Sequence, residues 1–251
     1  LILMRNIKIE IQYDGTNFSG WQMQTNGRTV QEEIVKALYK LTHKQISLHG
    51  AGRTDAGVHA KGQVANFKIE SSIPTSKIPS AINRFLPEDV SVFRAAEMPE
   101  NFHARYSATG KKYSYLIYLD TYRNPLLRNY GYHIPYEINL GKMKAASKLL
   151  IGTHDFRGFM SSGSSIRDTV RRIDEIEFKK NEKNLWISFQ GNGFLYNMVR
   201  IIVGTFLEIG RGRFDNVNIV KALETGQRQY LGPTAPPHGL YLDKVFYYLT
   251  H

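Results

Sequence analysis

The order in which period-two and helical stretches follow one another is what most limits the folds open to this chain. Residues 5–13 set Ile7, Ile9, Ile11 and Tyr13 against Asn6, Lys8, Glu10 and Gln12, the alternation of a half-buried strand. Thr29-Val30-Gln31-Glu32 reads as a capping box. It opens a helix with Val30, Ile34, Leu38 and Leu41 on one face. Strands are expected at 46–49 and 63–70, a short helix at 76–85, and a strand at 89–97. The second half begins with a strand at 111–119 and a helix capped by Asn139. Strands at 170–178 and 185–189 follow, joined by a turn at 181–184, then an apolar helix at 194–209, a further helix at 215–224 and a last strand at 240–247. Each half therefore spells β-α-β-β-α-β, the ferredoxin-like order, with an added helix in the second. The halves share no sequence repeat. The expected class is α+β: two ferredoxin-like halves, 1–104 and 105–251, whose sheets join side by side around a central cleft.

Between the second and third expected strands lies Gly50-Ala51-Gly52-Arg53-Thr54-Asp55-Ala56-Gly57-Val58-His59-Ala60. Its glycines permit tight turns and close backbone approach, and an Arg two residues before an Asp can hold that carboxylate ionised and aimed. The same residue types also make ordinary turns. On these residues alone, a structural turn and a catalytic loop both remain open.

The absence of cysteine removes thiol nucleophiles, zinc–thiolate sites and iron–sulfur clusters, and fits a reducing compartment, here the cytoplasm. No run reaches the roughly 18 consecutive apolar residues of a membrane span, so no membrane partner is expected. The net charge of +11 points to a polyanion. To residue 104 there are 12 Lys and Arg against 10 Asp and Glu, a balance of +2; beyond it, 21 against 12, a balance of +9. Lys111-Lys112, Arg123, Arg128-Asn129-Tyr130 and Arg171-Arg172 suggest a track for a nucleic-acid backbone in this basic half.

The glycine-rich stretch resembles the signature of the TruA family of tRNA pseudouridine synthases. Tyr13-Asp14-Gly15-Thr16, Phe18-Ser19-Gly20-Trp21-Gln22, Phe102-His103-Ala104-Arg105 and Lys111-Lys112-Tyr113 are similar to that family too, in its order. So are the stretch from Gly193 to Arg200 and that from Thr234 to Leu242. The resemblance implies the pseudouridine synthase fold and isomerisation of uridine to pseudouridine in the tRNA anticodon stem-loop, at positions thirty-eight, thirty-nine and forty. It implies Asp55 as the catalytic aspartate, Tyr113 as the active-site tyrosine, Arg200 as the basic residue that pairs with the aspartate, and Arg53 as an aid to base flipping. Thr54, His59, Lys111, Lys112, Asn197 and Leu240 lie in the matching motifs and are expected to bind substrate or RNA. The resemblance also implies a homodimer on tRNA, and neither a metal nor a cofactor is expected.

Four rivals bear on that reading. A metal-dependent nuclease would need Asp14, Asp55, His59 and Asp89, which show no H-x-E or paired-carboxylate spacing. A thiol-dependent methyltransferase or a zinc deaminase of the usual Cys-ligated type cannot be built without cysteine. A non-catalytic tRNA-binding or chaperone module explains the charge, but not an Asp that expects an Arg partner.

Overall fold

The computed structural model describes residues 3–163 and 166–248. They form two compact units, Leu1–Thr109 with Tyr241–His251, and Gly110–Leu240. Both mix helices with antiparallel strands, as the α+β expectation requires.

In the first unit, β1 (Met4–Tyr13), α1 (Val30–Thr42), β2 (His49–Gly50), β3 (His59–Glu70), α2 (Ile78–Asn83) and β4 (Val90–Met98) follow the expected order. The strands lie β4-β1-β3, with β2 on β3, and every one of these pairings is antiparallel. Ile7, Ile9 and Ile11 are fully buried, so the alternation read in the sequence is the core face of β1. Val30, Ile34 and Leu38 of α1 are buried as well, giving the sheet its helical cover. The forward half of the expected capping box forms at the helix start. Thr29 Oγ1 accepts from the Glu32 N–H at 3.4 Å, while the Glu32 carboxylate pairs with Lys36 one turn on.

The second unit holds β5 (Ala108–Leu119), β6 (Tyr132–Ile134), α3 (Leu140–Ser147), β7 (Gly152–Asp155), β8 (Val170–Asn181), β9 (Asn184–Gly191), α4 (Met198–Gly210) and α5 (Asn216–Thr225). Its antiparallel order is β5-β9-β8-β7, with β6 parallel to β5. Eleven of the 13 residues of α4 are buried, which explains its nearly unbroken apolar sequence. Asp215 caps α5 with a complete capping box, and Gly226 ends it in the left-handed conformation.

Two boundaries differ from the sequence reading. The join lies between residues 109 and 110, inside β5, rather than between 104 and 105. The last strand, β10 (Leu240–Tyr247), was expected to stay with 105–251. Tyr241 and Leu242 pair in parallel with His59 and Ala60 of β3, and the chain from Tyr241 onward groups with the first unit.

Candidate active site

The glycine-rich stretch leaves β2 at Gly50 and enters β3 at His59, and nearly every residue between is anchored. The Ala51 N–H donates to the Val64 carbonyl at 2.7 Å, and the side-chain amide of the fully buried Gln63 donates to the Gly52 carbonyl at 3.0 Å. The Trp21 N–H donates to the Thr54 carbonyl at 3.0 Å. That approach needs Gly20, whose φ is +94° and where a Cβ would stand 2.6 Å from the Thr54 oxygen. The Thr54 hydroxyl meets the Tyr13 hydroxyl at 2.7 Å, and burial pushes the Tyr13 phenol up to about 12. Gly57 turns the chain at φ 78°, and the Val58 N–H closes the turn on the Asp55 carbonyl at 3.1 Å.

Asp55 is half-buried between these anchors, and Arg53 is exposed. Thr54 and His59 were expected to bind RNA, but both are buried, at 6% and 2% exposure. His59 stacks on Tyr241 with ring centroids 4.9 Å apart. Its Nδ1 lies 3.0 Å from the Gly15 N–H and 3.2 Å from Asp14 Oδ1, and the tautomer decides which of the two it engages. Asp14 Oδ1 also accepts from the Thr16 N–H and hydroxyl, at 2.9 and 2.5 Å. Asp89 forms a bidentate pair with Arg28 at 2.6 and 2.9 Å. Among the described residues no group of three or more acidic or imidazole side chains is arranged to hold a metal.

In the second unit, Tyr113 is buried on β5 opposite Phe189 and meets Phe194 edge-on, with centroids 5.4 Å apart. Tyr115, two residues on, donates its hydroxyl to the Pro236 carbonyl at 2.7 Å. Burial pushes that phenol well above its usual value, while the charge of Arg200 works against the shift. Arg200, in the first turn of α4, donates from Nε to the Ala235 carbonyl at 2.7 Å and from Nη1 to Asn197 Oδ1 at 2.6 Å. Asn197 caps nothing with its side chain. It stands left-handed at φ 61° and donates its own amide to Ser161 Oγ at 2.9 Å, so it positions Arg200. Leu240 is buried at the start of β10.

Lys111 and Lys112 are half-buried on β5, and Lys112 lies 3.8 Å from Glu177. Arg172 pairs with Asp174 at 2.7 Å, and Arg171 lies 3.9 Å from Asp168, whereas Arg123 and Arg128 are exposed. The expected basic track is thus partly neutralised by its own neighbours. The sequence reading missed Tyr13, Trp21, Gln63 and Ala235 as anchors. Tyr13, Trp21 and Ala235 stand in motifs that it singled out without giving them a role.

The anchored Gly50–Ala60 loop and the fixed Arg200 fall within the two segments, residues 9–107 and 146–248, that match a family model described as tRNA pseudouridine synthase. The chain belongs to the tRNA pseudouridine synthase family. Its similarity to curated tRNA pseudouridine synthase A proteins is close to end-to-end. It is 48% identical to that of Thermoanaerobacter sp. (strain X514), covering 97% of this chain and 100% of the relative. It is 50% identical to that of Caldicellulosiruptor saccharolyticus, with the same coverage. For Bacillus pumilus the identity is 47%, covering 96% of this chain and 98% of the relative. Among solved structures the likeness is distant. A chain of an H/ACA RNP bound to a substrate RNA containing 2′-deoxyuridine matches 93% of this chain and 59% of its own length, at 12% identity and a TM-score of 0.37, too low to bear on function. A tRNA pseudouridine synthase is an isomerase, and no helix among the described residues is long and apolar enough to cross a membrane.

Proposed function

We propose that this chain isomerises uridine to pseudouridine in the anticodon stem-loop of tRNA, at positions thirty-eight, thirty-nine and forty, with Asp55 as the catalytic carboxylate. Arg200 keeps that carboxylate ionised, Tyr113 stacks on the extruded base, and Arg53 enters the space the base leaves. Lys111, Lys112 and Leu240 contact the substrate around them. The reaction breaks the bond from N1 of uracil to C1′ of the ribose and makes one from C5 to C1′. The hydrogen on C5 leaves as a proton and N1 takes one up, so atoms and electrons balance without a redox partner.

The target base must first leave its stack, at a cost of a few kcal/mol that is smaller in a loop than in a duplex. Attack by the carboxylate on C1′, attack on C6 and removal of a ribose proton all start from an ionised Asp55. A carboxylate in a dried pocket stays ionised when a cation faces it. Tyr113 supplies a flat apolar surface, and base–aromatic stacking contributes about 1–3 kcal/mol.

The observation that carries this reading is the anchoring of the loop around Asp55. Gly52, Thr54 and Val58 are all hydrogen-bonded to or within the scaffold, and they hold a half-buried carboxylate at a fixed point of a loop. We further assign the chain to the cytoplasm and to a homodimer; a monomer on gel filtration at working concentration would remove the second assignment.

Tritium release from tRNA carrying 5-tritiated uridine tests the reading, because forming the C5 bond expels that hydrogen. Wild-type protein should release it and Asp55→Ala should not, although the variant still binds tRNA. Equal release by both would discard Asp55. No release by folded wild type on several tRNAs would leave the non-catalytic tRNA-binding module. Asp55→Asn, Arg200→Lys and the double variant form a cycle in which non-additive losses support the pairing of the two residues.

A further inference from the structure

We propose that His49, His103 and Tyr106, with Arg105 beside them, form a second RNA-contacting surface on the first unit. An unpaired base of the tRNA stacks on the Tyr106 ring, and an adjoining phosphate meets the Arg105 guanidinium. The proposal rests on the reading that this chain acts on tRNA, and it concerns residues outside the catalytic loop.

The three rings stand in a row. His49 and His103 have centroids 4.9 Å apart, and His103 and Tyr106 4.4 Å apart, each pair tilted by under 40°. The Arg105 guanidinium carbon lies 5.9 Å from the Tyr106 ring centre. Tyr106 is nevertheless 78% exposed, and His49 and Arg105 are exposed too. Among the described residues no carboxylate pairs with Arg105. His103 is half-buried. Burial, followed by the charges of His49 and Arg105, holds its imidazole below the usual value, so at neutral pH it joins the row as an uncharged ring.

The backbone under this row is fixed from within the core. Asn6, 4% exposed, donates its amide to the carbonyls of Pro99 and Phe102, both at 2.9 Å. Asn66, 3% exposed, donates to Asn6 Oδ1 at 2.9 Å and accepts from the Ala104 N–H at 2.8 Å. The Tyr247 hydroxyl donates to the Ala104 carbonyl at 2.7 Å, and its ring packs on Phe102 at 5.2 Å. His103 Nδ1 then accepts from the Arg105 N–H at 3.1 Å, which closes the turn that displays Arg105 and Tyr106.

Ordering a loop costs backbone and side-chain entropy, and this one recovers none of it by burying Tyr106. A rigid backbone that holds an aromatic ring in water, beside a cation, is a preorganised seat for a base and its phosphate. Most of the chain's +11 charge lies beyond residue 104, so at this surface it is the exposed Arg105 beside the Tyr106 ring that favours a phosphate and its base.

Filter binding of tRNA at fixed salt tests the assignment, with tritium release by the wild type measured alongside. Tyr106 is so exposed that its replacement leaves the fold intact. Tyr106→Ala should weaken tRNA binding about tenfold, the scale of one lost base–aromatic stack, and Tyr106→Phe should stay within about twofold of wild type. Arg105→Ala should weaken binding and lower the slope of log K against log salt by about one. Binding by Tyr106→Ala within about twofold of wild type would overturn the proposal. So would a change in its gel-filtration size, since the surface would then be a contact between two copies of the chain. If wild type binds tRNA without releasing tritium, the catalytic reading falls, and the Tyr106 comparison still decides this one.

Discussion

Arg200 Nη1 donates to Asn197 Oδ1 at 2.6 Å, and Asn197 holds that position with its backbone left-handed at φ 61°. A non-glycine residue in that conformation carries strain. Here the strained residue aims a guanidinium. Asn197→Gly removes the amide but keeps the φ, whereas Asn197→Ala removes the amide and adds strain. Both variants should lose about 10- to 100-fold in kcat/KM for tritium release, the scale of a hydrogen bond to a charged group, and only Ala should also lose about 1 kcal/mol of stability in urea. A glycine variant at the wild-type rate would show that the amide does not set the aim of Arg200.

Tyr13 gives the protein an alkaline limit. Its buried hydroxyl keeps its proton up to about 12, whereas a tyrosine in the unfolded chain releases its own near 10. Above about pH 10 the unfolded state therefore binds fewer protons than the native state, and stability falls as pH rises. The contribution is complete below pH 10 and lost by about 12, up to ~3 kcal/mol in all. Tyr13→Phe should be about 1–2 kcal/mol less stable than wild type at pH 7, because it leaves the Thr54 hydroxyl without this partner, and should decline less over the alkaline range. Parallel urea-stability curves for the two proteins between about pH 9 and 12 would contradict it.

Gly204, in the middle of α4, reverses an ordinary rule. Gly→Ala in a helix interior normally stabilises by about 1 kcal/mol. Here a Cβ would collide with the Pro233 carbonyl, on the segment that supplies the Ala235 carbonyl to Arg200. Gly204→Ala should instead destabilise by about 1–3 kcal/mol and slow tritium release. A higher melting temperature with unchanged activity would mean that the segment moves aside freely.

Arg53 is exposed, so its removal should cost the fold less than about 0.5 kcal/mol. If it fills the place of the flipped base, Arg53→Ala should lower single-turnover tritium release by about 100-fold while tRNA affinity falls far less, since it stabilises a state that costs a few kcal/mol to reach. Equal losses in affinity and rate would make it a phosphate contact instead.

What was legible in the sequence was whatever a short window can carry. The isoleucines of β1, the apolar face of α1 and the helix that opens at Asp215 are local patterns, and each appears where it was read. β6 and β7 were missed because three or four residues are too few to show a period. The apolar helix was read from residue 194, but α4 starts at Met198, since the left-handed Asn197 cannot be helical. Pairing between distant segments leaves no local trace. Nothing near residue 241 says that β10 will lie on β3. At the site, glycine density marked the loop, but its anchors, Tyr13 on Thr54 and Gln63 on Gly52, join residues 41 and 11 positions apart. Arg200 was expected to pair with the Asp55 carboxylate; within its own unit it donates to a carbonyl and an amide, contacts that no short window of sequence displays.

A ribosome making this chain must emit all of residues 110–240 before it emits the strand that lies along His59. At about 5–20 residues per second, that delay is on the order of ten seconds. Throughout it, the start of β3 is an open sheet edge, and Tyr241 is not yet there to stack on His59. The nascent first unit can assemble most of its core, but the downstream end of the Asp55 loop stays unfinished. Completion of that loop therefore waits on residues 241–247 leaving the exit tunnel, and RNA met earlier in synthesis encounters an unfinished enzyme.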